Sequence, residues 1–213
     1  KDDVVSEGFN SVTWRGTGAT NSISGLGFSP ALVWIKDRTD ATVNYLTDVV
    51  RGANKEIYSD GGTDGNSDNA LAEYTDTNTL TTFDADGFTV GTSTGTNGSA
   101  DDMVAWCWEA STSFSNDTSA TSVGNVDSEG KVNTAKGFSI VKWVYSTSAD
   151  QTIAHGLDSA PTFIIVKSRT NVYNFDVYHS GLSAATKRLI LNHNSAEQNG
   201  FFDTAPTDTV FEY

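Results

Sequence analysis

Two K-x-R-T stretches carry the clearest repeated charges in this chain: Lys36 with Arg38, and Lys167 with Arg169. Residues two apart share a face of an extended strand, so each pair could grip an anion or a sugar carboxylate. The structural alternative is a strand-end ion pair, because Arg serves well in such networks. Tyr45, Tyr173 and Phe175 follow in the polar stretches after these motifs. Exposed rings there would stack on sugars, whereas buried ones would pack beneath the loop. Asp64, Asn66 and Asp68 have the alternate spacing that opens a calcium loop. Asn69 stands where the sharp-turn Gly belongs and Thr75 where the bidentate Glu belongs, so the EF-hand match fails. A loose calcium site or a solvated loop remains, and no other cofactor is expected.

The other reactive side chains read as structural. Asp84 and Asp86 flank the turn in FDADGF, and turn chemistry accounts for them. A glycosidase needs two carboxylates facing one cleft at a defined separation. His155, His179 and His193 show no metal-ligand spacing. Cys107 is the single cysteine, so no disulfide forms within the chain. It lies in the apolar run MVAWCWEA and reads as a core residue. No catalytic residue is singled out, and a non-enzyme is the expectation.

The elements that must hold these residues occur twice. Phe9, Val12, Trp14, Leu26, Pro30, Lys36, Arg38 and Thr39 recur in order as Phe138, Val141, Trp143, Leu157, Pro161, Lys167, Arg169 and Thr170. A repeat this long implies a duplicated domain. Phe9 to Trp14 alternates apolar and polar residues, as a half-buried strand does. ALVWIK, from Ala31 to Lys36, is continuously apolar up to its final lysine and short, which favours a strand buried on both faces. In MVAWCWEA, Met103, Ala105 and Cys107 face one way and Val104, Trp106 and Trp108 the other, so this too reads as a central strand. About seven short strands per copy, punctuated by turn residues, predict an all-β protein. Its expected architecture is two tandem antiparallel β-sandwich modules, jelly-roll-like and related by internal duplication.

The expected boundaries are residues 1–112 for the first module, 113–136 for a Ser/Thr/Asn-rich linker and 137–213 for the second module. Nothing in the second copy matches MVAWCWEA. A central strand cannot be omitted without opening sheet edges, so that module reads as incomplete at its C-terminus. The expectation is that the polypeptide continues past Tyr213, with donation of a strand by another chain as the alternative. Across 213 residues, 27 acidic and 13 basic side chains give a formal net charge of −14. That charge repels phosphate backbones and anionic lipid, so neither nucleic acid nor membrane is an expected partner. No apolar stretch approaches the length of a membrane span.

The pattern F-x-x-V-x-W, a small-residue turn and G-L-x-x-x-P-x-x-(V/I)-x-(I/V)-K-x-R-T, together with VAWCW and VYHSGL, resembles a module of marine bacteriophage appendage proteins. Those are tail-fibre-like or virion structural proteins, often with several copies in tandem. The resemblance covers Gly8 to Glu109 and Gly137 to Tyr213. It implies a non-catalytic structural or adhesive protein of a phage particle, made in the host cytoplasm and located in the virion. Other virion proteins, further copies of this chain in a homo-oligomer and a host-surface glycan are the partners it implies. A carbohydrate-binding, lectin-like module, with calcium assisting, is the alternative function.

Overall fold

The computed structural model describes residues 8–60, 71–146, 150–200 and 202–213. The N-terminal half runs through β1 (Phe9–Arg15), β2 (Asn21–Ser24), β3 (Leu32–Asp37), β4 (Tyr45–Asp48) and β5 (Lys55–Tyr58). It continues with β6 (Tyr74–Thr75), β7 (Leu80–Asp84), β8 (Gly87–Val90), one helical turn α1 (Thr94–Asn97) and β9 (Asp102–Trp108). The C-terminal half contains β10 (Thr112–Asn116), the short α2 (Thr118–Thr121), β11 (Ser128–Asn133), β12 (Phe138–Trp143) and β13 (Thr152–Ala154). Then come β14 (Phe163–Val166), β15 (Asp176–His179), β16 (Lys187–Ile190), β17 (Gln198–Asn199) and β18 (Val210–Glu212). The fold is all-β, with several antiparallel sheets. Among the described residues, no helix is long and apolar enough to cross a membrane.

In the N-terminal half one sheet has the order β1-β9-β3-β4-β5-β6 and a second the order β2-β8-β7. Both turn apolar side chains into one core. Val33, Ile35, Met103, Ala105 and Cys107 enter from the larger sheet, and Ile23, Leu80, Phe88 and Val90 from the smaller. The Val, Ile, Leu, Phe and Met side chains among them each contribute about 1.5–3 kcal/mol by leaving water. The alternation read from MVAWCWEA holds: Met103, Ala105 and Cys107 are all 0% exposed. The β7–β8 hairpin turns at Ala85 and Asp86, with Asp84 opposite Gly87. Asp86 then accepts hydrogen bonds from the Gly25 and Gly27 amides at 3.1 and 2.6 Å, fixing the turn after β2.

The C-terminal half has sheets β10-β11-β12, β13-β18 and β14-β15-β16-β17. Its core gathers Ile153, Val166, Tyr178, Phe202 and Phe211, with Val141, Trp143, Ile164 and Tyr213 packed against them. The segment expected as a linker carries β10 and β11, and β11 pairs along the whole of β12. The polar composition hid this because glycine does the packing: a Cβ on Gly130 or Gly156 would stand 2.8 Å from the Phe114 ring. Phe114 can therefore lie directly on backbone.

The halves touch through side chains from both. Trp108 stacks on Phe138, with centroids 6.1 Å apart and planes at 23°. Ile57 packs with Phe175 and Ile165. Arg169 donates twice to Glu73, each time at 2.9 Å.

Candidate functional site

The feature that sets the halves apart is a pair of unpaired sheet edges. In the N-terminal half β9 lies between β1 and β3 and pairs with both along its length. The sequence matches of β1 and β3 are β12 and β14. Val141 and Trp143 of β12 enter the same core as Ile164 and Val166 of β14, yet the two strands belong to different sheets. Among the described residues, β12 pairs only with β11, and β14 only with β15.

Backbone direction shows which edges are open. The Glu109 amide donates to the Gly8 carbonyl and the Gly16 amide to the Asp101 carbonyl, both at 2.8 Å. Peptide groups alternate sides along an antiparallel ladder, so Asn10, Val12 and Trp14 point theirs at β9. Their matches are Ser139, Val141 and Trp143. Gly130 sits opposite Val141, and a Cβ on it would lie 1.9 Å from the Ile140 carbonyl oxygen. That closeness marks a non-hydrogen-bonded pair, so Ser139, Val141 and Trp143 turn their peptide groups away from β11. On β14, the Ser180 amide donates to the Thr162 carbonyl at 2.9 Å. Ile164 and Val166 therefore address β15, while Phe163 and Ile165 address the far edge. Their matches Leu32 and Trp34 lie opposite Trp108 and Trp106 of β9. Exposure follows: Val33 is 0% exposed, but its match Ile164 is only half-buried, and neighbouring Phe163 is 53% exposed.

A second feature is a cleft of about 490 Å³ between the halves, lined by Trp34, Asn44, Ser59 and Asp60 on one side and Leu191–Asn194 on the other. The Trp34 indole N–H is buried without a hydrogen-bond partner, and its ring meets Trp106 edge-on at 6.3 Å. Asp60 accepts from both the backbone and the side-chain nitrogens of Asn44.

The K-x-R-T residues lie apart from both features in their polar contacts. The Lys36 ammonium donates to the Thr42 carbonyl at 2.6 Å. Lys167 donates to the Ser168 and Asn171 carbonyls at 2.8 and 3.2 Å. Burial lowers its pKa to about 8. Arg38 is exposed, and its backbone amide joins β3 to the Asp102 carbonyl. Arg169 is engaged by Glu73, which also meets Arg51 at 3.5 Å. Partial burial would raise the Glu73 carboxyl, but the Arg169 hydrogen bonds and the two guanidinium charges hold it below the usual range. Tyr45 packs edge-on against Tyr58 at 5.1 Å, and burial, then the Glu56 charge, push its hydroxyl up to about 12. Tyr173 is 63% exposed. Asp64, Asn66 and Asp68 lie outside the described residues.

His155 is buried, bonded at one ring nitrogen to the Thr207 carbonyl and at the other to the Leu157 amide; burial lowers its pKa. Burial also pushes the Cys107 thiol up to about 12. The run GTSTG, Gly91 to Gly95, has nucleophile-elbow spacing, against the expectation that the chain carries no such motif. Ser93 has φ −61° and ψ 129°, ordinary extended values rather than a strained turn. Sequence reasoning also missed the cleft residues and a carboxylate group formed by Asp37, Asp40 and Asp101. Both assemble from distant strands, so no local spacing announces them.

The family model of a domain of unknown function, DUF7483, matches residues 5–213. The chain belongs to this family. The match to DUF7483 spans both halves, including β12 and β14. Searches of curated proteins and of solved structures find no match.

Proposed function

We propose that this chain is a non-catalytic structural or adhesive protein of a bacteriophage particle, built from two tandem antiparallel β-sandwich units related by duplication. Its second unit assembles by accepting a strand. The observation that carries the reading is the open edges of β12 and β14, whose sequence matches are bridged by β9. The occupant is an extended polypeptide segment with the pattern of β9: small or apolar residues on alternate positions facing the core, as Met103, Ala105 and Cys107 do. Strand addition of this kind draws affinity from main-chain hydrogen bonds and specificity from alternate side-chain pockets. Paired edges would also protect the particle from unspecific aggregation. The virion location and the absence of catalysis rest on the sequence resemblance.

The test is a synthetic peptide spanning residues 99–110, added to the full chain with amide exchange of β12 and β14 and analytical ultracentrifugation as readouts. Saturable binding by this peptide and none by a scrambled one is expected. Equal behaviour of the two peptides, or concentration-dependent self-association that the peptide leaves unchanged, overturns strand acceptance.

A lectin-like reading is favoured by one observation, the orphaned Trp34 N–H beside a cleft lined with Asn and Asp. Saccharides offer both a ring face for stacking and hydroxyls for such groups. A glycan array with wild-type protein and Trp34→Phe decides it: signal lost in the variant supports the cleft, and no signal for either removes it.

A further inference from the structure

The end of β3 and the start of β9 bring together three carboxylates that are distant in sequence. Asp37 closes β3, Asp40 lies in the following loop, and Asp101 immediately precedes β9. One carboxylate oxygen from each lies within 4.8 Å of the other two. Among the described residues, none of the three forms an ion pair; Arg15 beside them pairs with Asp102 instead, at 3.3 Å.

Asp37 is the decisive member. It is 1% exposed, and its Oδ2 is buried with no hydrogen-bond partner. Its Oδ1 accepts from the Thr39 and Asp40 amides at 2.8 and 3.0 Å, which orients the carboxylate. Burying a carboxylate oxygen without a donor is costly unless the group is paired or binds a metal. Two more carboxylates close by make that cost larger, since like charges at short range repel. The Asp101 carboxylate lies against the Gly98 backbone, where a Cβ would stand 1.9 Å from its Oδ2.

We propose that Asp37, Asp40 and Asp101 form a calcium site. Calcium takes oxygen ligands at 2.3–2.6 Å in irregular cages, and two oxygens on opposite sides of such an ion stand roughly 4.8 Å apart. The set is all-oxygen, with no His or Cys, which selects a hard cation over zinc or copper. The third charged ligand disfavours magnesium, which keeps most of its waters and binds few carboxylates. The site is confined to the N-terminal half: the matches of Asp37 and Asp40 are Ser168 and Asn171. An ion there ties the loop after β3 to the entry of β9, the strand that closes the larger sheet.

The experiment uses the full chain, stripped with EDTA and titrated with calcium chloride in a calorimeter, alongside thermal melts. Binding with a Kd of about 10⁻⁴–10⁻³ M is expected, the range of extracellular calcium modules. With calcium about 100-fold above Kd, Tm should rise by roughly 5–10 °C. The double variant Asp40→Asn with Asp101→Asn should lose the calcium-dependent rise. In EDTA it should melt above wild type, because the repulsion is relieved. Asp64→Asn with Asp68→Asn should retain the full response. No calcium response in the wild type overturns the site. So does an unchanged response in the Asp40/Asp101 variant, or loss of the response in the Asp64/Asp68 variant.

Discussion

Glu56 is an unexpected residue to find inside this chain. It is 1% exposed and neither of its carboxylate oxygens has a hydrogen-bond partner. Burial, then the Asp76 charge, raise its pKa from 4.5 to about 8, with Arg51 opposing. A carboxyl raised in the folded state gives stability that is complete below the unfolded value and is lost as pH rises through the folded one. Stability should therefore decline between about pH 4.5 and pH 8, at up to about 1.4 kcal/mol per pH unit. Glu56→Gln should remove that decline, and urea midpoints at pH 5 and pH 8.5 for both proteins check it. Parallel pH dependences would show that Glu56 is not the group responsible. No sequence signal marked Glu56, because its alternation with Ile57 looks like an ordinary half-exposed strand. The K-x-R-T charges were legible as a repeat, but their bonding was not. Lys36 and Lys167 both reach loop carbonyls, whereas Arg169 finds Glu73, a partner 96 positions away in sequence.

At the scale of elements, the strands with strong alternation were the legible ones. β1, β3 and β9 fall where the apolar pattern places them: β3 and β9 each bury one face, and β1 lays half-buried Val12 and Trp14 on the same core, which fixes the register. β10 and β11 were illegible for the converse reason: Ser, Thr, Asn and Gly dominate them, and their contacts come from Phe114 lying on glycine backbone. This gives a test of the element itself. A Cβ on Gly130 would meet the Ile140 carbonyl oxygen at 1.9 Å. Gly130→Ala should separate β11 from β12 locally and lower stability by about 1–3 kcal/mol. Amide exchange should show lost protection in β11 and β12 while β3 and β9 keep theirs. Uniform loss across both halves would instead mean that the chain unfolds as one cooperative unit.

For the whole molecule, the join between the halves is carried by a few side chains. Glu73 is the shared anion between Arg51 and Arg169, and its side chain is 10% exposed whereas that of Arg169 is 40% exposed. Removing Arg169 leaves Glu73 paired with Arg51, so Arg169→Ala should cost about 1 kcal/mol or less. Glu73→Ala takes the carboxylate from both guanidiniums, although Arg51 keeps its Asp48 pair and the Leu46 and Lys55 carbonyls, so it should cost more than Arg169→Ala. Denaturant melts of both variants give the order, and a reversed order would mean that Arg169 is the anchor. β9 also has a bearing on how the chain comes to be folded. Its partner β1 is made first and β9 last in the N-terminal half, so this sheet is dominated by pairings far apart along the chain. Such topologies fold slowly, because the connecting loop must be closed before the contacts form. Until β9 leaves the ribosome, β1 and β3 wait with bare edges, a state prone to capture by other nascent chains. The C-terminal half, with β12 and β14 unbridged, is a standing picture of that moment in the biosynthesis of its neighbour.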